Sequence, residues 1–161
     1  MSDISHLDHL DEVLPDPGWM YAGASEEPLR LYISGPMSGI KDFNRPLFMR
    51  VREALRLRGH FVICPTELDD VPNGAPEVMT PLELEMLWKA FLIRDVAMIL
   101  TCQLDAIVVL PGWWRSRGAR LEILAGLSVG LRLLEWPLLT NLRLAHIKCE
   151  DLCPPEGDLY A

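Results

Sequence analysis

The chain has 161 residues, the size of one domain that buries roughly 70% of the surface its unfolded form exposes. Half of the residues are hydrophobic and 24% are charged, a globular balance, and every apolar run is broken well before the ~18 residues a membrane span requires. The formal charge of −8 argues against duplex nucleic acid or an anionic membrane as the main partner, since both demand a basic face, whereas a small anionic ligand needs only a local cluster of cations.

Residues 1–28 hold seven acids and neither Lys nor Arg, together with Pro15, Pro17 and Pro28, so they read as an acidic N-terminal extension, mobile or loosely docked. They lack the basic start and apolar centre of a signal peptide, which predicts a cytoplasmic protein with reduced thiols at Cys64, Cys102, Cys149 and Cys153. The nearest approach to a metal pattern, His146, Cys149 and Cys153 in "HIKCEDLC", lacks a fourth ligand, and no metal or other cofactor is expected.

From Leu29 the pattern changes. "LRLYIS" reads as a strand, "GPMSGIKDFN" as a Gly/Pro-rich loop, and "RPLFMRVREALRLRG" as an amphipathic helix with Pro46 in its first turn and Gly59 past its end. A strand "HFVICP", a long polar loop "TELDDVPNGAPEVMTP", a helix "LELEMLWKAFLIRDVAMILTCQ" and a fully apolar strand "DAIVVLP" follow. After the loop "GWWRSRG" come the helix "ARLEILAGLSVGLR", the apolar segment "LLEWPLLT" and a C-terminal tail over 146–161. This alternation over 29–145 predicts an α/β fold: a Rossmann-like open parallel sheet flanked by helices on both faces.

In such sheets ligands sit beyond the carboxyl ends of the strands, where two loops gather here. In the first, Gly35 and Gly39 surround Pro36, Met37 and Ser38, which is either a simple turn or a loop whose backbone approaches a ligand closely. It is neither GxGxxG nor a Walker loop. In the second, Ser116 and Gly118 stand where a helix begins, with Arg115, Arg117 and Arg120 adding positive charge; a capped helix with solvated arginines and an anion site both fit.

Glu122 falls in what reads as the first turn of that helix, with Ala125, Gly126 and Val129 on its face, and either complements the helix dipole or meets a ligand admitted by those small residues. Asp95 is a second acid in an apolar helix, between Phe91 and Ile99, and needs either an arginine partner or a role in a site. Two such acids suit acid/base and nucleophilic chemistry at a glycosidic carbon. Trp113 and Trp114 offer a flat wall for a planar base, though at least one of them is expected to cap the core.

Together, "LYISGPMSG", "DFNRPLF", "RGHFVICPTEL" and "RDVAMILTCQLDAIVVLPGWWRSRGARLEILAG" resemble the nucleoside 2-deoxyribosyltransferase-like superfamily, most closely its small phage and bacterial branch of DUF4406 domain proteins, over about residues 29–135. The resemblance implies cleavage of the bond between base and sugar, with Glu122 as nucleophile, Asp95 as the second acid and Tyr32 as a tyrosine near the nucleophile. It places the substrate among Ser34, Gly35, Pro36, Met37, Gly39, Asn44, Trp113, Ser116, Arg117, Gly118 and Arg120. Pro36, Met37 and Ser38 stand where the monophosphate hydrolases of the superfamily have Ser and Arg residues, which leaves phosphate to Ser116, Arg117 and Arg120.

The expected activity is hydrolysis of the N-glycosidic bond of a (2′-deoxy)nucleoside 5′-monophosphate through a glycosyl-enzyme. Exchange of bases between deoxynucleosides and a non-catalytic nucleotide sensor are the alternatives. The resemblance also implies a homodimer or higher homo-oligomer in which a neighbouring subunit completes each site.

Overall fold

The computed structural model describes residues 27–68 and 79–142. Most of the acidic extension, the tail with His146, Cys149 and Cys153, and the middle of the long polar loop lie outside the described residues.

Five strands form one sheet: β1 (Arg30–Ser34), β2 (Phe61–Ile63), β3 (Ala106–Val109), β4 (Arg132–Glu135) and β5 (Thr140–Asn141), in the order β2-β1-β3-β4-β5. The first four are parallel, as expected, and β5 pairs antiparallel with β4, so the segment read only as apolar turns back on itself through residues 136–139. Among the described residues four α-helices accompany the sheet: α1 (Arg45–Leu57), a single turn α2 (Pro65–Leu68), the long α3 (Pro81–Thr101) and α4 (Arg117–Ser128).

Strand periodicity decides which helix packs where, because successive side chains point to opposite faces. Leu31 and Ile33 join Ala106 and Val108 in a core with Phe48, Val51 and Leu55 of α1. Tyr32, Ile107 and Val109 point the other way, into a core with Ile99 of α3 and with Ala119 and Ile123 of α4. Both faces are thereby covered, as a parallel sheet requires.

The helix ends follow local chemistry. Thr80 and Glu83 form a reciprocal capping box ahead of Pro81, with the Thr80 N–H donating to the Glu83 carboxylate at 2.7 Å. α1 stops at a Schellman turn, in which the N–H of His60 reaches the Leu55 carbonyl at 3.2 Å and that of Gly59 the Arg56 carbonyl at 2.9 Å.

Length then shapes the open end of the sheet. With 21 residues α3 extends roughly 30 Å, about twice the span of strands four or five residues long. Its C-terminal half buries Asp95 and Ile99 against the sheet, and its N-terminal half overhangs the carboxyl ends of the strands. Since β1 is followed by β2 on one side and β3 lies on its other side, the chain diverges at the β1/β3 boundary, and the overhang walls the crevice there.

Gly35 ends β1 at this crevice, and a Cβ there would stand 2.7 Å from the Cβ of Leu110, an atom fixed to the backbone. Gly35→Ala is expected to destabilise the protein by about 1–3 kcal/mol through overpacking, read as a lower urea midpoint at unchanged slope.

Candidate active site

A cavity of about 430 Å³, within the range of small-molecule sites, opens at the β1/β3 crevice. The loop after β1 supplies Gly35, Met37, Ser38 and Gly39; the start of α4 supplies Ser116, Gly118 and Ala119; α3 supplies Trp88, Phe91 and Asp95. Glu122 reaches it from the second turn of α4, one turn later than expected.

That shift matters physically. In the first turn Glu122 would complement the helix dipole at the surface; in the second it faces the sheet and is only 7% exposed. Its carboxylate accepts a hydrogen bond from the Ser34 hydroxyl at 2.5 Å on one oxygen and from the Tyr32 hydroxyl at 3.3 Å on the other. Tyr32 and Ser34 can both reach it because they are two residues apart on β1 and share the face that α4 covers.

Burial pushes the Glu122 pKa from its ordinary value of 4.5 up to about 7, with the negative charge of Asp95 adding to the rise while the Ser34 and Tyr32 hydrogen bonds oppose it. Burial likewise raises the Tyr32 phenol well above its usual value, reinforced by the Glu122 carboxylate, so Tyr32 stays a proton-bearing donor. Asp95 is buried and is held by the neighbouring Arg94, whose guanidinium donates at 2.9 Å and 2.7 Å to one carboxylate oxygen. The expected arginine partner therefore exists, on the same helix, while Asp95 still lines the cavity.

Other expected residues hold the loops around the site in place. The Pro36 carbonyl accepts from the Asn44 side chain at 2.9 Å, which ties the two ends of the first loop together. Asn44 itself, like Asp42 and Phe43, is left-handed (φ 56°, 52° and 53°), and this run turns the chain sharply into α1. The Ser116 hydroxyl accepts from the Ala119 N–H at 3.2 Å as the N-cap of α4, so capping engages one of its lone pairs.

None of the tryptophans and arginines expected at this site lines the cavity. Trp113 caps the core, as expected of at least one of the pair, 5% exposed and packed with Tyr32 and Ile123; Trp114 is exposed. Arg120 is buried and donates to the Trp114 carbonyl at 2.7 Å, which fixes the turn before α4 and keeps it out of the cavity lining. Arg117 lies over the Trp88 ring at 3.8 Å from its centroid. Gly126 offers no room to a ligand: a Cβ there would collide with the side chain of Ile107, so the small residue serves close helix-to-sheet packing.

Sequence reasoning missed Phe43, Arg45, Trp88 and Phe91 as lining residues. Trp88, Phe91 and Asp95 follow one another at intervals of three and four residues, the spacing of one helix face, and that signal was available. A larger cavity of about 560 Å³ lies at the amino ends of the strands, lined by Arg30, Arg56, His60 and Phe61 among others, and contains no carboxylate. Among the described residues no group of His, Cys, Asp and Glu could hold a metal ion, and no helix is long and apolar enough to cross a membrane.

The chain belongs to the family described as "Domain of unknown function (DUF4406)", whose model matches residues 29–135. No curated protein and no solved structure matches it significantly.

The raised Glu122 pKa has a consequence for stability. Folding favours the protonated form, so the contribution is complete below about pH 4.5 and is lost as pH rises through about 7, where the charge must be held in a buried place. Glu122→Gln removes that charge and is expected to raise stability at pH 8 by up to roughly 3 kcal/mol, with the gain fading by pH 5. Thermal denaturation of both proteins across this range measures it.

Proposed function

We propose that this DUF4406 protein is a hydrolase that cleaves the N-glycosidic bond of a (2′-deoxy)nucleoside 5′-monophosphate, with Glu122 as nucleophile. The observation that carries the reading is the buried Glu122 carboxylate at the cavity, fixed by two hydroxyl donors and within electrostatic reach of a second carboxylate, Asp95. A purely structural acid has no need of this placement, since a neutral amide would meet the same two hydroxyls at lower cost of desolvation.

The ionised Glu122 attacks C1′; a C1′–O bond forms as the C1′–N bond breaks, and its electron pair leaves on the base nitrogen, which takes a proton from water. A second water then adds to C1′, the ester bond breaks, and its electron pair returns to the Glu122 carboxylate as the water's proton is lost. The net reaction consumes one water and yields free base and sugar phosphate, with configuration at C1′ retained. Asp95, paired with Arg94, accepts hydrogen bonds from the sugar and holds C1′ before the nucleophile. Phe43, Phe91 and the part of Trp88 not covered by Arg117 supply apolar surface for the planar base. No cofactor enters any of these steps.

A homo-oligomer is supported by the outer face of α3. Leu82, Met86, Ile93 and Leu100 are 68%, 63%, 71% and 48% exposed, and at 100° per residue they fall within about 40° of one another, opposite the face that carries Phe91, Asp95 and Ile99. A helix apolar on both sides is a buried helix, and a second copy paired through α3 would cover this stripe and stand beside the cavity wall.

Two outcomes are expected. Glu122→Ala abolishes base release from a deoxynucleoside monophosphate followed by chromatography, with an unchanged circular dichroism spectrum; equal rates in variant and wild type would refute the nucleophile, and appearance of a new nucleotide on adding free base would identify exchange instead of hydrolysis. In light scattering, Ile93→Glu lowers the mass from that of an oligomer to that of one chain, and a monomeric wild type would remove the assembly from the proposal.

A further inference from the structure

The arginines of α4 were the natural candidates for a phosphate, yet the cavity is not lined by their side chains. Arg120 is committed to the Trp114 carbonyl, Arg117 to the Trp88 ring, and Arg115 is exposed outside the cavity. The cation that does line it, on the opposite side, is Arg45 at the start of α1.

The charges of the cavity wall single this residue out. Of the three carboxylates lining it, Glu85 is paired with Lys89 at 2.8 Å and Asp95 with Arg94 at 2.7 Å. The third, Glu122, is held by neutral hydroxyls, and burial keeps part of it protonated near neutrality. Among the described residues, by contrast, no hydrogen bond or ion pair engages the Arg45 guanidinium. Nor does the helix ask for a cation there: the first turn of α1 contains no acid to pair with it, and a positive charge at a helix N-terminus opposes the dipole. A residue that breaks a local rule without structural compensation, while facing a cavity, is best explained by what enters the cavity.

We infer that Arg45 is the specificity-determining cation that binds the substrate's 5′-phosphate, from the α1 side of the cavity and in place of the α4 arginines. The inference rests on the reading of this site as one for a nucleoside monophosphate. Guanidinium and phosphate match in geometry as well as charge, and a phosphate anchored at Arg45 leaves the sugar and base to extend between Glu122 and the aromatic residues of α3.

Calorimetric titration of inorganic phosphate into the full chain tests this without requiring turnover. Wild type is expected to bind phosphate; Arg45→Gln, folded as judged by circular dichroism, binds it at least ten times more weakly, Arg45→Lys falls between them, and Arg117→Gln changes little. In turnover, Arg45→Gln raises KM for the monophosphate at least tenfold and lowers the preference for monophosphate over the free nucleoside. Absence of phosphate binding by wild type, equal affinity in Arg45→Gln, or a larger loss in Arg117→Gln would overturn the assignment. A wild type that binds phosphate through Arg45 but releases no base would sink the proposed activity and leave the anion site standing.

Discussion

The position of one carboxylate organises the open end of this fold. Removing Glu122 from water costs several kcal/mol in an apolar setting, and the two hydroxyls of β1 offset only part of that, as the raised pKa records. The compensation is available solely because Tyr32 and Ser34 lie on alternate positions of one strand, and because Gly126 lets α4 approach that sheet face closely. Strand period, helix phase and a missing Cβ act together on a single oxygen pair.

The same constraint connects core to cavity. Tyr32 is fully buried and packs within the core that includes Ile107, Trp113 and Ile123, while its hydroxyl ends at the carboxylate that borders the cavity. The ring therefore transmits the rigidity of a close-packed interior to the carboxylate proposed as nucleophile. Asp95 is fixed in the complementary way, by an arginine beside it on α3, so the two acids are held by separate elements that the packing of α3 on α4 and on the sheet brings together. In the proposed reaction, preorganised groups of this kind would need little rearrangement as charge develops at C1′.

Much of this was legible in the residues. Alternating apolar strands and helices with their Gly and Pro punctuation were enough for the parallel sheet, and the isolation of Glu122 and Asp95 in apolar helices marked both acids. What escaped was whatever depended on helix phase or tertiary partners. A shift of helix start from Ala119 to Arg117 moved Glu122 from the surface turn to the sheet-facing one. Arginines that look alike along "RSRGAR" divide, in three dimensions, into one that holds a carbonyl, one that lies on a tryptophan and one in solvent, and no periodicity in the string distinguishes them. The antiparallel β5 was hidden for a similar reason: two residues are too short to show a period.

Charge pairing around the cavity makes an acidic protein compatible with the proposed anionic ligand. The formal charge of −8 describes the whole chain, and seven of its acids lie in residues 1–28, whereas a ligand responds to charges within about a Debye length of roughly 8 Å at physiological salt. There, Lys89 and Arg94 offset Glu85 and Asp95, and a Glu122 that is part protonated near pH 7 repels an incoming phosphate less than an ordinary carboxylate would. In the proposed reaction, once the phosphate is neutralised, the remaining charge that matters is the positive one developing on the sugar as the base departs. Under that proposal, two carboxylates beside it, both buried, would stabilise the transition state more than the neutral ground state, which is the difference that accelerates a reaction.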